Sequence, residues 1–125
     1  METGMRAVFD TNILIDYLKG IPQAAAEVER YEEKWISVIT FMEVLAGVET
    51  PEEAVIVRKF LAAFKTMDLN TAVSERAVHL RREKKLKLPD AIVYASAREL
   101  GCALLTRNIK DFKAEWPDIR EPYRL

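Results

Sequence analysis

Four carboxylates stand where the chain changes character. Asp10 ends the short apolar run from Arg6, and Glu43 lies one turn beyond Trp35-Ile36-Ser37-Val38. Asp90 follows Pro89, and Asp111 comes shortly after Leu104-Leu105-Thr106-Arg107-Asn108. Carboxylates brought together repel, by about 3 kcal/mol for a pair ~5 Å apart at an effective dielectric of ~20. A cluster of them raises its own pKa values or takes up a cation. Oxygen-only ligands select Mg²⁺ or Mn²⁺ over zinc, and Mg²⁺ keeps waters and accepts substrate phosphate. The chemistry such a site supports is metal-dependent hydrolysis of a phosphodiester, which needs no histidine.

Other chemistries are thinly supplied. His79 is the single histidine, which excludes a paired-histidine acid–base site and the HExxH zinc pattern. Cys102 is the single cysteine, so there is no CxxC pair and no internal disulfide, and a reducing cytoplasm is the expected setting. Glycines at 4, 20, 47 and 101 form neither GxGxxG nor GxxxxGK[ST]. With 125 residues, 50% of them apolar and 31% charged, the chain fits a single domain over 1–125 with one real core. No apolar run approaches a membrane span, and Met1–Asp10 lacks a basic-then-apolar leader. Met1-Glu2-Thr3-Gly4, ahead of Met5, reads either as an added remnant or as the mark of an alternative start.

Taken singly, each acid has a structural explanation. Asp10 can cap a helix beginning at Thr11. Thr40-Phe41-Met42-Glu43 matches a capping box. Asp90 in a first turn suits the helix dipole. Asn108-Ile109-Lys110-Asp111 is another cap-like pattern. A cap needs no partner elsewhere in the chain, so the joint placement of four acids favours a shared site.

The elements that would position them alternate. Strands are expected at 6–9, 35–38, 67–69 and 102–106. Helices are expected from Thr11 to Leu18, Pro22 to about Lys34, Thr40 to about Val48, Pro51 to Phe64, Thr71 to Leu86 and Pro89 to Leu100. Gly101 ends the last helix. A turn over Asn108–Phe112 leads into a Pro-containing tail with no assigned strand. The pattern is α/β, a small parallel sheet covered by helices on both faces. In such sheets ligands bind beyond the carboxyl ends of the strands, where these acids fall.

The segments Val8-Phe9-Asp10-Thr11-Asn12, Ser37 to Gly47, Leu88 to Ala97 and Leu104 to Phe112 resemble, in order and over nearly the whole chain, the four motifs of PIN-domain ribonucleases. The likeness is nearest to the VapC toxins of bacterial and archaeal toxin–antitoxin pairs. It implies a PIN-like, Rossmann-like sheet, a Mg²⁺ or Mn²⁺ site and endonucleolytic cleavage of RNA. It further implies Asp10, Glu43 and Asp90 as core acids and metal ligands, Thr106 as support from a strand end and Asn12 as a brace after Asp10. At the fourth motif the acid is either Asp111 or replaced by Asn108, and Asp111 is the expected fourth ligand. A VapB-type antitoxin and a homodimer are the implied partners.

The one dense basic run, Arg81-Arg82-Glu83-Lys84-Lys85-Leu86-Lys87, precedes Asp90. It reads either as a solvated helix end or as a rail for RNA in which Arg81, Arg82, Lys84 and Lys85 are joined by Arg107 and Lys110. Val73, Ala77, Val78 and Leu80 are expected in the core, with His79 partly buried and Cys102 and Phe112 packed. Trp35, Phe41, Phe60 and Phe64 are core or interface, and an apolar face within Val55–Phe64 is open to a partner helix or a second copy. Two other function classes compete with the nuclease. A PIN-like module that grips RNA or a partner without cutting would lack the core acids, which are intact. A phospho-acceptor receiver domain would need a second acid beside Asp10, and Thr11-Asn12 supplies none.

Overall fold

The computed structural model describes residues 5–125, so Met1–Gly4 lie outside the described residues. Its strands are β1 (Arg6–Phe9), β2 (Glu33–Ser37), β3 (Lys65–Met67), β4 (Ala103–Leu105) and β5 (Ile119–Arg120). They form one sheet in the order β3-β2-β1-β4-β5, parallel throughout. The helices are α1 (Thr11–Leu18), α2 (Pro22–Glu29), α3 (Val38–Ala46), α4 (Pro51–Leu61), α5 (Thr71–Lys84) and α6 (Leu88–Leu100). Among the described residues no helix is long and apolar enough to cross a membrane.

A central parallel strand is covered on both faces and so carries a continuous apolar run. β1 does this with Ala7, Val8 and Phe9, all 0% exposed. Its pleat sends Ala7 and Phe9 into one layer with Ile13, Leu14, Val28, Ile36, Val57, Leu61 and Leu105. Val8 points the other way, into a layer with Val73, Ala77, Leu80, Ile92, Tyr94 and Leu104. The first layer is closed by α1, α2 and α4, and the second by α5 and α6. Phe9 makes edge-to-face contacts with both Tyr31 and Phe64, at 5.7 Å between ring centroids in each case.

Helix ends follow local chemistry. Asp10, Ser37, Thr50 and Asn70 each cap a helix by accepting a backbone N–H. Pro22 and Pro51 open α2 and α4, where a missing N–H costs nothing. Gly101 ends α6 in the left-handed region, as expected. α5 ends instead on Lys85, also left-handed at φ 59°, a conformation that costs a residue with a Cβ about 1–2 kcal/mol.

Several boundaries depart from expectation. β2 starts two residues early because Glu33 and Lys34, polar residues at the strand's start that the apolar pattern passes over, pair with Arg6 and Ala7. α3 begins at Val38, capped by the fully buried Ser37, which removes the capping box expected for Thr40 and Glu43. β3 falls at Lys65–Met67, and Ile119–Arg120 forms a strand in the tail. Val73, Ala77 and Leu80 are buried at spacings of four and three, which leaves Val78 and His79 on the outer face, both exposed. Cys102 and Phe112 are buried as expected, and Phe60 stacks on Tyr17 at 4.7 Å. The open apolar face on α4 narrows to Val55 and Ile56.

Phe9→Ala should lower unfolding free energy by about 3–5 kcal/mol, because removing the ring leaves a cavity between two aromatic neighbours that cannot close it. Urea denaturation measures this. A loss below about 1 kcal/mol would show that the layer above β1 is loosely packed.

Candidate active site

The chain crosses from β1 to β2 through α1 and α2, and reaches β4, on the other side of β1, from β3 through α5 and α6. The two crossovers diverge between the carboxyl ends of β1 and β4, which opens a crevice at this switch point. Asp10 leaves β1 there and Thr106 leaves β4 beside it. The Asp10 N–H donates to the Leu105 carbonyl (2.9 Å), carrying the strand pairing one residue further. The side chain of Asp10, only 7% exposed as a residue, is held by three donors. Thr11 N–H bonds Oδ1 (2.8 Å), while the Thr106 hydroxyl (2.8 Å) and the Asn12 amide (3.2 Å) bond Oδ2.

Thr106 Oγ1 has no capacity left over. It donates to Asp10 and accepts from the Asn108 N–H (2.9 Å) and the Asn12 amide (3.3 Å), the full complement of a hydroxyl. Asn12 Oδ1 accepts the Arg107 N–H (3.1 Å), so this one side chain staples the loop after β1 to the loop after β4.

The other acids arrive from separate elements. Glu43, in the second turn of α3, is exposed and accepts the Thr11 hydroxyl at 2.6 Å, the bond it makes in place of the expected capping box. Asp90, half-buried in the first turn of α6, lines with Asp10, Glu43, Thr11, Asn12 and Asn108 a cleft of about 380 Å³. Asp111 lies on the rim beside Asp90. The cap of its turn is Asn108, whose Oδ1 accepts the Asp111 N–H (3.3 Å) and whose amide donates to Asp111 Oδ2 (3.1 Å). Asp111 therefore does not cap this turn.

Burial is the main cause that pushes Asp10 up to about 6, against the bonds from Thr106 and Thr11, and the charges of Asp90 and Glu43 add to it. Asp90 is also raised, by burial first and then by Asp111 and Glu43, with Lys87 opposing. The carboxylates thus feel one another. Among the described residues no three His, Cys, Asp or Glu side chains stand close enough to form a ready-made metal cage. A hard cation that keeps several waters and takes one or two carboxylates asks for less than a cage. All-oxygen donors with unrelieved mutual repulsion fit such an ion.

Sequence reasoning missed a second buried carboxylate at this edge. Asp16, on the buried side of α1, takes a two-pronged bond from Arg107, Nε to Oδ2 at 2.6 Å and Nη2 to Oδ1 at 3.0 Å, and a third from the Tyr123 hydroxyl at 2.7 Å. Burial would raise Asp16, but these bonds outweigh it and hold the carboxyl below its ordinary range. A buried acid on an otherwise apolar helix face was the available signal. Arg107 thus lines the cleft with its fork already engaged. The expected RNA rail also divides. Arg81 donates to the Leu86 carbonyl (2.7 Å) and Lys84 lies over the Trp116 ring, 4.8 Å from its centroid. Arg82 opens with Val78, His79 and Glu83 onto the outer face of α5, while Lys85 and Lys110 border a neighbouring cleft with Asp111.

Comparison with known proteins places these features in a family. The family model described as "PIN domain" matches residues 7–114. The chain is 31% identical to Ribonuclease VapC19 of Mycobacterium tuberculosis, over 93% of this chain and 98% of that protein. A toxin–antitoxin complex from Klebsiella pneumoniae contains a chain that superimposes with a TM-score of 0.90 at 42% identity, covering 95% of this chain and 99% of that one. The VapBC2 complex of Rickettsia felis, bound to a DNA fragment from its promoter, shares the fold with a TM-score of 0.75 at 20% identity, over 92% and 96% of the two chains.

The raised Asp10 sets a pH dependence of stability. The folded, metal-free protein binds this proton more tightly than the unfolded chain. The contribution is therefore fully present below the ordinary carboxyl value and is lost as pH rises through about 6. In EDTA, Asp10→Asn should become more stable than the parent by up to about 3 kcal/mol on going from ~pH 4 to ~pH 7, and Mn²⁺ should offset the difference at neutral pH. Thermal unfolding at both pH values checks this. A stability difference that does not change with pH would mean that Asp10 carries no buried charge.

Proposed function

The chain belongs to the PIN-domain family, and from that premise we propose that it is a Mg²⁺- or Mn²⁺-dependent endoribonuclease, the toxin of a type II toxin–antitoxin pair. The observation that carries this reading is the meeting of Asp10, Glu43 and Asp90 in one crevice at the switch point of the sheet. The name of the mycobacterial relative and the content of the Klebsiella complex support the activity and the pairing.

Asp10, Asp90 and Glu43 would hold the ion, with Asp111 as a fourth acid from the rim. When bound, a divalent ion supplies charge neutralisation to the phosphodiester and acidity to the attacking water. The protein's own part is positioning. Thr106, Asn12 and the Thr11 N–H fix both oxygens of Asp10, and Thr11 Oγ1 fixes Glu43. Asn108 orients Asp111. Arg107, closed onto Asp16, holds the Thr106–Asn108 loop in place.

The partner would be a VapB-type antitoxin. An apolar groove of about 430 Å³, lined by Ile15, Leu18, Val44, Val48, Ile56 and Val57, adjoins the acidic cleft and shares Ile15 and Lys19 with it. An amphipathic antitoxin segment seated there reaches both. A homodimer and a cytoplasmic setting complete the proposal. Cys102 suits that setting, its unpaired thiol buried and pushed up to about 11 by that burial.

RNA cleavage should require Mg²⁺ or Mn²⁺, stop with EDTA and leave 5′-phosphate and 3′-hydroxyl ends, because water attacks rather than the ribose 2′-OH. Gel analysis of products from the purified protein checks this. Cyclic 2′,3′-phosphate ends would contradict the mechanism.

Asp111→Asn should fold normally, need more Mn²⁺ and turn over slowly, because Asp111 repels Asp90 and does not cap its own turn. Asn108→Ala should reduce stability by ~1 kcal/mol through removal of a cap, with a smaller loss of turnover. Native turnover and metal demand in Asp111→Asn would reduce the site to three acids.

A further inference from the structure

Beside the acidic cleft lies a second, smaller one of about 210 Å³, lined by Lys84, Lys85, Leu86, Lys87, Lys110, Asp111, Lys113 and Trp116. Two anchored turns make its walls. On one side Leu86 is buried, at 3% exposure, and Arg81 holds its carbonyl, so Lys85 and Lys87 on either side of it face solvent. On the other side Phe112 is wholly buried and packs edge-on to Tyr94, which leaves Lys110 and Lys113 outside. The Lys113 ammonium donates to the Lys110 carbonyl at 2.6 Å, which ties these two positions together.

The charge in this cleft is unbalanced. Among the described residues no carboxylate lies within ion-pair distance of Lys85, Lys87, Lys110 or Lys113, and Asp111 is the one acid in the lining. The whole chain has a net charge of −1, so this is a local concentration of cations. It neighbours the acidic centre: Lys87 acts on Asp90 from one wall and Asp111 from the other. Lys85 holds its place in a left-handed conformation, where α6 uses glycine for the equivalent turn. A residue kept in a costly backbone conformation in the wall of a cleft points to a role for its side chain.

We propose that this lysine cleft is a subsite for the backbone phosphates of the RNA strand beside the cleavage centre. The proposal rests on the ribonuclease reading above and adds the strand's path. Phosphate binding by lysine is indifferent to base, so the subsite contributes affinity and register and leaves sequence choice to other residues. The opposite flank offers no comparable group of lysines: Lys19 stands there at the edge of the apolar groove, and Arg107 is closed onto Asp16. The rail expected from the sequence is thereby revised: Lys85 and Lys110 remain in it, Lys87 and Lys113 join it, and Arg81, Arg82 and Lys84 leave it.

The test uses the full chain carrying Asp10→Asn, so that a fluorescent single-stranded RNA oligonucleotide is bound and not cut. Its affinity is measured across a salt series, with and without Lys85→Gly, Lys87→Ala, Lys110→Ala and Lys113→Ala together. Removing one phosphate-binding lysine should flatten the log–log salt slope by ~0.7, and removing all four by ~3. Lys85→Gly alone should bind RNA more weakly while melting at the same or a higher temperature, which separates binding from folding. Arg82→Ala should leave the slope where it is. An unchanged slope in the fourfold variant overturns the subsite, as does a fourfold variant that keeps its full RNA affinity at every salt concentration. If the protein without any substitution cuts RNA with Mn²⁺ while the slope is unchanged, only the subsite fails. If it cuts no RNA under any metal, both readings fail.

Discussion

A carboxylate that is almost fully removed from water, and still surrounded by other carboxylates, has to be held in place by something. Asp10 is held by the Thr106 hydroxyl, the Asn12 amide and the Thr11 N–H, each delivered by an element whose position the sheet fixes. The parallel register of β1 against β4 sets Phe9 beside Leu105. The next residue of each strand is then the acid and the threonine that orients it. Without that register the donors are misplaced and the buried charge has no support, since a buried ionised group without partners costs several kcal/mol. The apolar layers above and below β1 therefore serve the site by making the register unique, since a slip of one residue would turn Phe9 out of its layer.

The same crevice shows how a fold separates like charges by role. Asp16 and Asp10 lie on neighbouring turns of chain at one edge, and both are nearly buried. Asp16 is paired with the charge of Arg107, accepts the Tyr123 hydroxyl and is held below its ordinary range, which makes it a structural anchor for the loop after β4 and for the C-terminal tail. Asp10 has hydrogen-bond donors but, among the described residues, no paired cation, and it is held high. Of the two, the acid left without a cation is the one that can take up a metal. That difference comes from one arginine's choice of partner.

Much of this was legible in the chain. The central strand, the helix started by Pro51 and the end of α6 at Gly101 are local signals, and the parallel class follows from the apolar stretches Ala7–Phe9 and Ala103–Leu105. The acids could be grouped because strand ends in such sheets share an edge. Features set by tertiary pairing were less accessible. β5 is two residues long and exists because it pairs with β4, and the polar start of β2 exists because it pairs with β1. Ser37 outcompeted Thr40 as a cap because burial of the strand end brings Ser37 to the helix start, and that left Glu43 free for Thr11. Charge runs were the least readable. Adjacent lysines and arginines were divided among a carbonyl, an indole ring and open solvent by a turn whose geometry depends on Leu86 being buried.

The central claim is that the carboxylates at the switch point form a divalent-cation site. Anomalous diffraction from crystals soaked in Mn²⁺ tests it most directly. The account predicts a peak among Asp10, Glu43 and Asp90 that disappears in Asp10→Asn. Mn²⁺ bound only elsewhere on the molecule, or a peak in the crevice that survives Asp10→Asn unchanged, would contradict it.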